Sequence, residues 1–75
     1  MNEDLKKAVT ELYFYEKTRT AGGFMTQLFQ LIQKADSDNK ARIRMGFPNE
    51  VEAMELWNNA ENYGDDLFKE YGLMK

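Results

Sequence analysis

The chain has 75 residues, a formal net charge of −3, and neither cysteine nor histidine. That length supports a single domain, 1–75, which buries only about 60% of the surface its unfolded chain would expose. The missing residue types exclude disulfide staples, the usual zinc sites and nucleophilic catalysis of the Ser-His or Cys-His kind. Stability must therefore come from packing of the ten aromatics and five methionines, from self-association, or from a bound partner.

Helical periodicity opens at about Glu3 and runs to Thr18. Leu5, Ala8, Val9, Leu12, Tyr13 and Tyr15 share one broad face at about 100° per residue. Glu3 and Asp4 suit the positive end of the helix dipole, and Lys17 and Arg19 the negative end. The run Leu12-Tyr13-Phe14-Tyr15 fans through about 300° and cannot face one core. Phe14 points among Lys7, Thr10, Glu11 and Thr18. Either the chain's own C-terminal segment covers it, or it forms a patch for a partner or a second copy with Tyr13 or Lys17.

After Gly22-Gly23, a helix–helix turn, the clearest helix spans about Gly23 to Ala35. Phe24, Met25, Leu28, Phe29, Leu31, Ile32 and Ala35 fill an arc of about 160°. Such an arc touches more than one neighbour, so this helix is expected at the centre of the core. Asp36-Ser37-Asp38 opens like a calcium loop, but Ala41 stands where glycine is needed and Phe47 where glutamate is needed. It reads as a capping turn. Lys40 to Met45 alternates polar and apolar like a strand, yet no second strand offers itself. A short helix from about Asp38, ending with Gly46 as its C′ glycine, is the better reading.

Pro48, Glu50 and Glu52 mark the start of a fourth helix. Its apolar face is Ala53, Leu56, Trp57, Ala60 and Tyr63 with Met54 on the flank, and its end is expected near Gly64. A fifth, short helix follows from about Asp65, its cap, to Tyr71, packing through Leu67 and Phe68 and stopping at Gly72. Trp57, Phe47 and Tyr63 read as core anchors, and Met25, Met45 and Met54 as core filling. The expected fold is all-α, a compact bundle of four to five short helices.

Charge is unevenly distributed. Residues 1–20 balance, residues 21–47 carry four bases against two acids, and residues 48–75 carry seven acids against two bases. Lys34, Lys40, Arg42 and Arg44 form a candidate basic patch for phosphate or nucleic acid. Segments three and four could suggest helix-turn-helix, but the second would be the recognition helix, and it is acidic, so DNA would repel it. Asp65, Asp66 and Glu70, with Glu61, form an acidic cluster that could bind a divalent ion. It could equally be a solvated face or one that occupies a basic groove on a partner. Paired-carboxylate catalysis needs a cleft that so small a domain rarely offers. No enzyme activity and no cofactor are expected. The mixed-charge N-terminus does not read as a signal peptide, and no stretch approaches the roughly 20 apolar residues of a membrane span, so a cytoplasmic location is expected.

From Phe24 to Trp57 the pattern is an apolar helix (Phe24, Leu28, Phe29), then Ala35-Asp36, Asn39, Arg42, then Gly46-Phe47-Pro48, Val51, Ala53 and Trp57. It resembles small uncharacterised helical proteins of bacteria, phages and mobile elements. The resemblance covers less than half of the chain and transfers no functional residue. It implies a protein that modulates a larger partner. The expected role is thus a small helical protein–protein interaction module, with self-association as an option. The alternatives are nucleic-acid or nucleotide binding through Lys40, Arg42 and Arg44, and a structural accessory subunit without a ligand.

Overall fold

A computed structural model describes residues 2–75. Five α-helices follow one another: α1 (Glu3–Tyr13), α2 (Gly23–Lys34), α3 (Ser37–Gly46), α4 (Pro48–Asn59) and α5 (Asp65–Glu70). A π-helical turn, Phe14–Thr18, prolongs α1, and a 3₁₀ turn, Asn62–Gly64, precedes α5. There is no strand among the described residues, and the fold is an all-α bundle as its periodicity predicts. The Cα radius of gyration is 11.6 Å, close to the ~11 Å expected of a compact chain of this length. No described helix is long and apolar enough to cross a membrane.

Local chemistry accounts for most helix ends. Asn2 caps α1 by accepting from the amides of Asp4 (2.8 Å) and Leu5 (3.4 Å). Asp36 caps α3 by accepting from the amide of Asn39 at 2.9 Å, so the acidic triplet is a capping turn. Pro48 occupies the first turn of α4, where its missing N–H costs nothing. At the end of α5, Leu73 N–H reaches Phe68 O at 2.9 Å across a left-handed Gly72, a Schellman-type stop.

The core is Ala8, Val9 and Leu12 of α1, Leu28, Phe29 and Ile32 of α2, Val51, Ala53 and Met54 of α4, and Leu67 and Phe68 of α5. The central element is α4, which packs on α1, α2, α3 and the 3₁₀ turn. This corrects the expectation that α2 is the centre. The apolar arc of α2 is wider than the rest of the chain can cover, and Phe24 and Leu31 stay 66% and 47% exposed. Helix α3 buries no residue fully. It lies on α4, and Ile43 and Phe47 pack against the core from the side.

Five further expectations are corrected. Helix α4 stops at Asn59, with Ala60 extended (ψ 155°), rather than near Gly64. Tyr63 therefore leaves the helical face and stands 88% exposed, and Leu56 is 37% exposed; neither is a core residue. Met45, expected as core filling, is 87% exposed on α3. Gly46 ends α3 without a left-handed conformation, the cap being Phe47. Asp65 does not cap α5, since Gly64 occupies that position with φ 85°.

Candidate functional site

The aromatic fan of α1 is divided among its neighbours by the π turn. Tyr13 meets Phe68 edge-on with ring centroids 5.2 Å apart, and Tyr15 meets Phe29 at 5.6 Å. Phe14 rests on Tyr13 at 6.0 Å and is half-buried. The Lys17 ammonium lies 2.5 Å from Asp65 Oδ1. That carboxylate oxygen is buried and has no aligned hydrogen bond, so the contact is a Coulombic pair. Tyr13 and Lys17 are thus engaged within the chain by α5, while Phe14 keeps part of its ring open. The turn is also tied to α2. Tyr15 O–H donates to Gln33 Oε1 (3.1 Å), and Gln33 Nε2 donates to Glu16 Oε1 (3.3 Å). Partial burial raises the Glu16 carboxyl above its ordinary range, an effect that Arg19, the Gln33 bond and Lys17 oppose.

The four bases of the middle segment lie on two sides of α3. Arg44 donates to Glu55 Oε1 at 2.6 Å, and with Lys40 it lines a hollow between α3 and α4. Arg42 faces the other way, where with Lys34 it borders a groove between α2 and α3. Arg42 also reaches Asn39 Oδ1 at 3.5 Å. The sequence reading grouped these residues in one patch. The helix turns them into two pairs, one of them partly neutralised by α4.

That α2–α3 groove is an open apolar surface in two adjoining parts. One part, about 460 Å³, is lined by Phe24, Leu28, Leu31 and Phe47 with Gln27, Gln30 and Lys34. It adjoins a second part, about 340 Å³, lined by Leu31, Lys34, Ala35, Asn39, Arg42 and Ile43. Leu31 and Lys34 belong to both. The Phe24 and Phe47 rings lie 5.9 Å apart and form one end. The charged residues lining the two parts are Lys34 and Arg42, so an apolar floor, with Phe24 and Leu31 exposed, carries a rim of two bases and the neutral Gln27, Gln30 and Asn39. The groove exists because α3 rests on α4 and leaves the outer side of α2 uncovered. Sequence reasoning placed Phe24 and Leu31 in the core. The available signal was the width of the α2 arc, flanked by Gln27, Gln30 and Lys34, on a chain too short to enclose it.

The opposite charge gathers around the 3₁₀ turn. Glu61, Tyr63 and Asp66 are all exposed, and Asn62 Nδ2 donates to Asp66 Oδ1 at 3.2 Å. Asn62 and Tyr63 both hold left-handed backbone, with φ 56° and 57°. Asparagine adopts that region readily, but for Tyr63 it is rare and costs on the order of 1–3 kcal/mol. Gly64 continues the turn at φ 85° and lies flat against the Trp57 indole. At the C-cap of α5, burial pushes the Tyr71 hydroxyl up, and the Glu70 and Glu52 carboxylates add to that shift.

No family model, curated protein or solved structure matches this chain.

Proposed function

We propose that the protein is a binding module, acting in the cytoplasm, whose α2–α3 groove receives a protein segment bearing apolar and acidic side chains. The observation that carries this reading is the floor of exposed Phe24 and Leu31 and half-buried Phe47, lined by two charged residues, Lys34 and Arg42, both basic. An amphipathic helix lays apolar residues into such a groove at i, i+4 and i+7, and its carboxylates meet the rim. The apolar contacts supply affinity, and the charges supply orientation and rate of encounter. A modulator that occupies the surface of a larger partner is the biological role this reading suits. Nucleic-acid binding is less well supported, because Lys40 and Arg44 face away from Arg42 and Arg44 already pairs with Glu55.

The test is amide NMR titration with a fluorescein-labelled acidic helical peptide carrying leucine and phenylalanine at i, i+4 and i+7 between glutamates. Shifts should concentrate on α2 and α3, weaken with salt, and vanish in Leu31→Glu. An absence of peptide-induced shifts removes the reading. Shifts produced only by a polynucleotide at Lys40, Arg42 and Arg44 replace it with the nucleic-acid alternative.

A further inference from the structure

The turn that seats Gly64 on the Trp57 indole also turns an aromatic ring outward. The three residues Asn62, Tyr63 and Gly64 all have positive φ, and the result is a Tyr63 side chain 88% exposed. Among the described residues Tyr63 makes no hydrogen bond or ring contact, so its side chain, unlike the buried Gly64 beside it, does not serve the core. The sequence reading had made Tyr63 a core anchor, and the fold places it outside. Acids surround it. Glu61 is exposed two residues before it, and Asp66 is exposed and tied to the turn through Asn62. Asp65, facing Lys17, is already engaged. The outer stripe of α4 leading to this turn carries exposed Glu52 and Leu56, and α4 contains no base.

We infer that the occupant of the α2–α3 groove is this acidic aromatic knob on a second copy of the chain. The inference rests on the proposed reading of the groove as the binding face and names its partner. The complementarity is carried by both surfaces. One is an apolar floor with two bases, and the other a single exposed ring among acids. An aromatic side chain entering an apolar pocket inside a polar rim is the usual form of an interface anchor. Gln27 and Gln30 line the groove and offer amide partners for the phenolic hydroxyl.

Knob and groove are different patches, so the contact is heterologous. Each copy gives its knob to one neighbour and its groove to another, and the chain grows head to tail until it closes into a ring or runs on as a filament. A symmetric dimer does not follow from this geometry unless a ring closes at two. The ion pairs at the rim make the assembly sensitive to salt.

Two surface variants test the arrangement. Tyr63→Ser removes the knob and keeps the groove, and Leu31→Glu blocks the groove and keeps the knob. Sedimentation of the wild-type protein over rising concentration should show a mass climbing above the 8.8 kDa of one chain, and high salt should reverse the rise. Each variant alone should associate at least about 30-fold more weakly. An equimolar mixture should form a one-to-one pair that grows no further, because it holds one working knob and one working groove. Far-UV circular dichroism and Trp57 emission should match the wild type in both variants, which confirms that they fold. A wild-type chain that stays monomeric at every concentration and salt overturns the inference, as does association that survives Tyr63→Ser. If the acidic peptide still shifts the α2–α3 amides in that case, only the self-docking falls. If it does not, the groove reading falls too.

Discussion

Gly64→Ala isolates a contact that couples α4 to the turn before α5. Gly64 has φ 85°, and a Cβ built on it would overlap Trp57 Cδ1 and Nε1 of the indole. The left-handed backbone costs a non-glycine residue about 1–3 kcal/mol, which is about 1–2 kcal/mol net of the ~0.4–1 kcal/mol gained because alanine restricts the unfolded chain. Overpacking against a rigid ring adds about 1–3 kcal/mol. The total, about 2–5 kcal/mol, is a large share of the roughly 4–11 kcal/mol expected for a domain of this length. Gly72→Ala supplies the control, since Gly72 has φ 77° with nothing within 4 Å of the added carbon. It should cost only the backbone part. Urea unfolding followed by the emission of the single tryptophan and by circular dichroism reads both. With a slope near ~1 kcal/mol per molar urea, the Gly64→Ala midpoint should fall by about 2 M or more, and the Gly72→Ala midpoint by about 1–2 M. In a Trp57→Leu background the excess cost of Gly64→Ala should shrink. Equal losses for the two glycines would refute the claim that the indole packs against the turn.

Three other outcomes follow from the core, a cap and a carboxyl. Phe29 is fully buried, so Phe29→Ala should lose about 3–5 kcal/mol in the same assay; a loss under ~1 kcal/mol would mean that the site is not enclosed. Asp36→Ala removes the 2.9 Å bond to the Asn39 amide and should cost about 1 kcal/mol, with helicity falling mainly in α3 by amide exchange. Burial raises the Glu16 carboxyl above 4.5, so the folded state holds its proton more firmly than the unfolded state does. The contribution of this group is therefore greatest at low pH and declines as pH rises from the unfolded pKa through the folded one. Stability of the wild type relative to Glu16→Gln should decline over that window and then level off. A relative stability that rises with pH there would show that the charges of Arg19 and Lys17 outweigh burial.

The π turn explains how four consecutive bulky residues are accommodated. An α-helix would hold Tyr13 and Tyr15 about 200° apart, and the i→i+5 winding of Phe14–Thr18 lets each find an aromatic neighbour. Tyr13 reaches α5 and Tyr15 reaches α2, so the end of α1 stitches two other helices together. The Tyr15–Gln33–Glu16 bonds fasten the same turn from outside. Substitutions in this region thus act first on the fold, which is why Phe14, Tyr13 and Lys17 are poorer probes of binding than Leu31 or Tyr63.

What the linear chain determines by itself is local. The 3.6-residue rhythm, Asp36 before α3, Pro48 at the start of α4 and Gly72 after α5 depend on neighbours within a turn, and each is legible because the physics is equally short in range. The division between inside and outside is different. Phe24, Leu31 and Tyr63 have the composition of core residues, and no rule of spacing distinguishes them from Phe29 or Phe68. Their exposure is decided by which helices reach which faces. Helix α4 takes the centre, α3 rests on it without covering α2, and an extended Ala60 ends α4 before Tyr63. The separation of Lys40 and Arg44 from Arg42 is local, because a helix sends neighbours two residues apart to opposite sides, whereas the pairing of Arg42 with Lys34 of α2 is made by the fold. Only the assembled fold therefore produces a basic apolar groove and an acidic aromatic knob, two surfaces that are scattered and unremarked along the sequence.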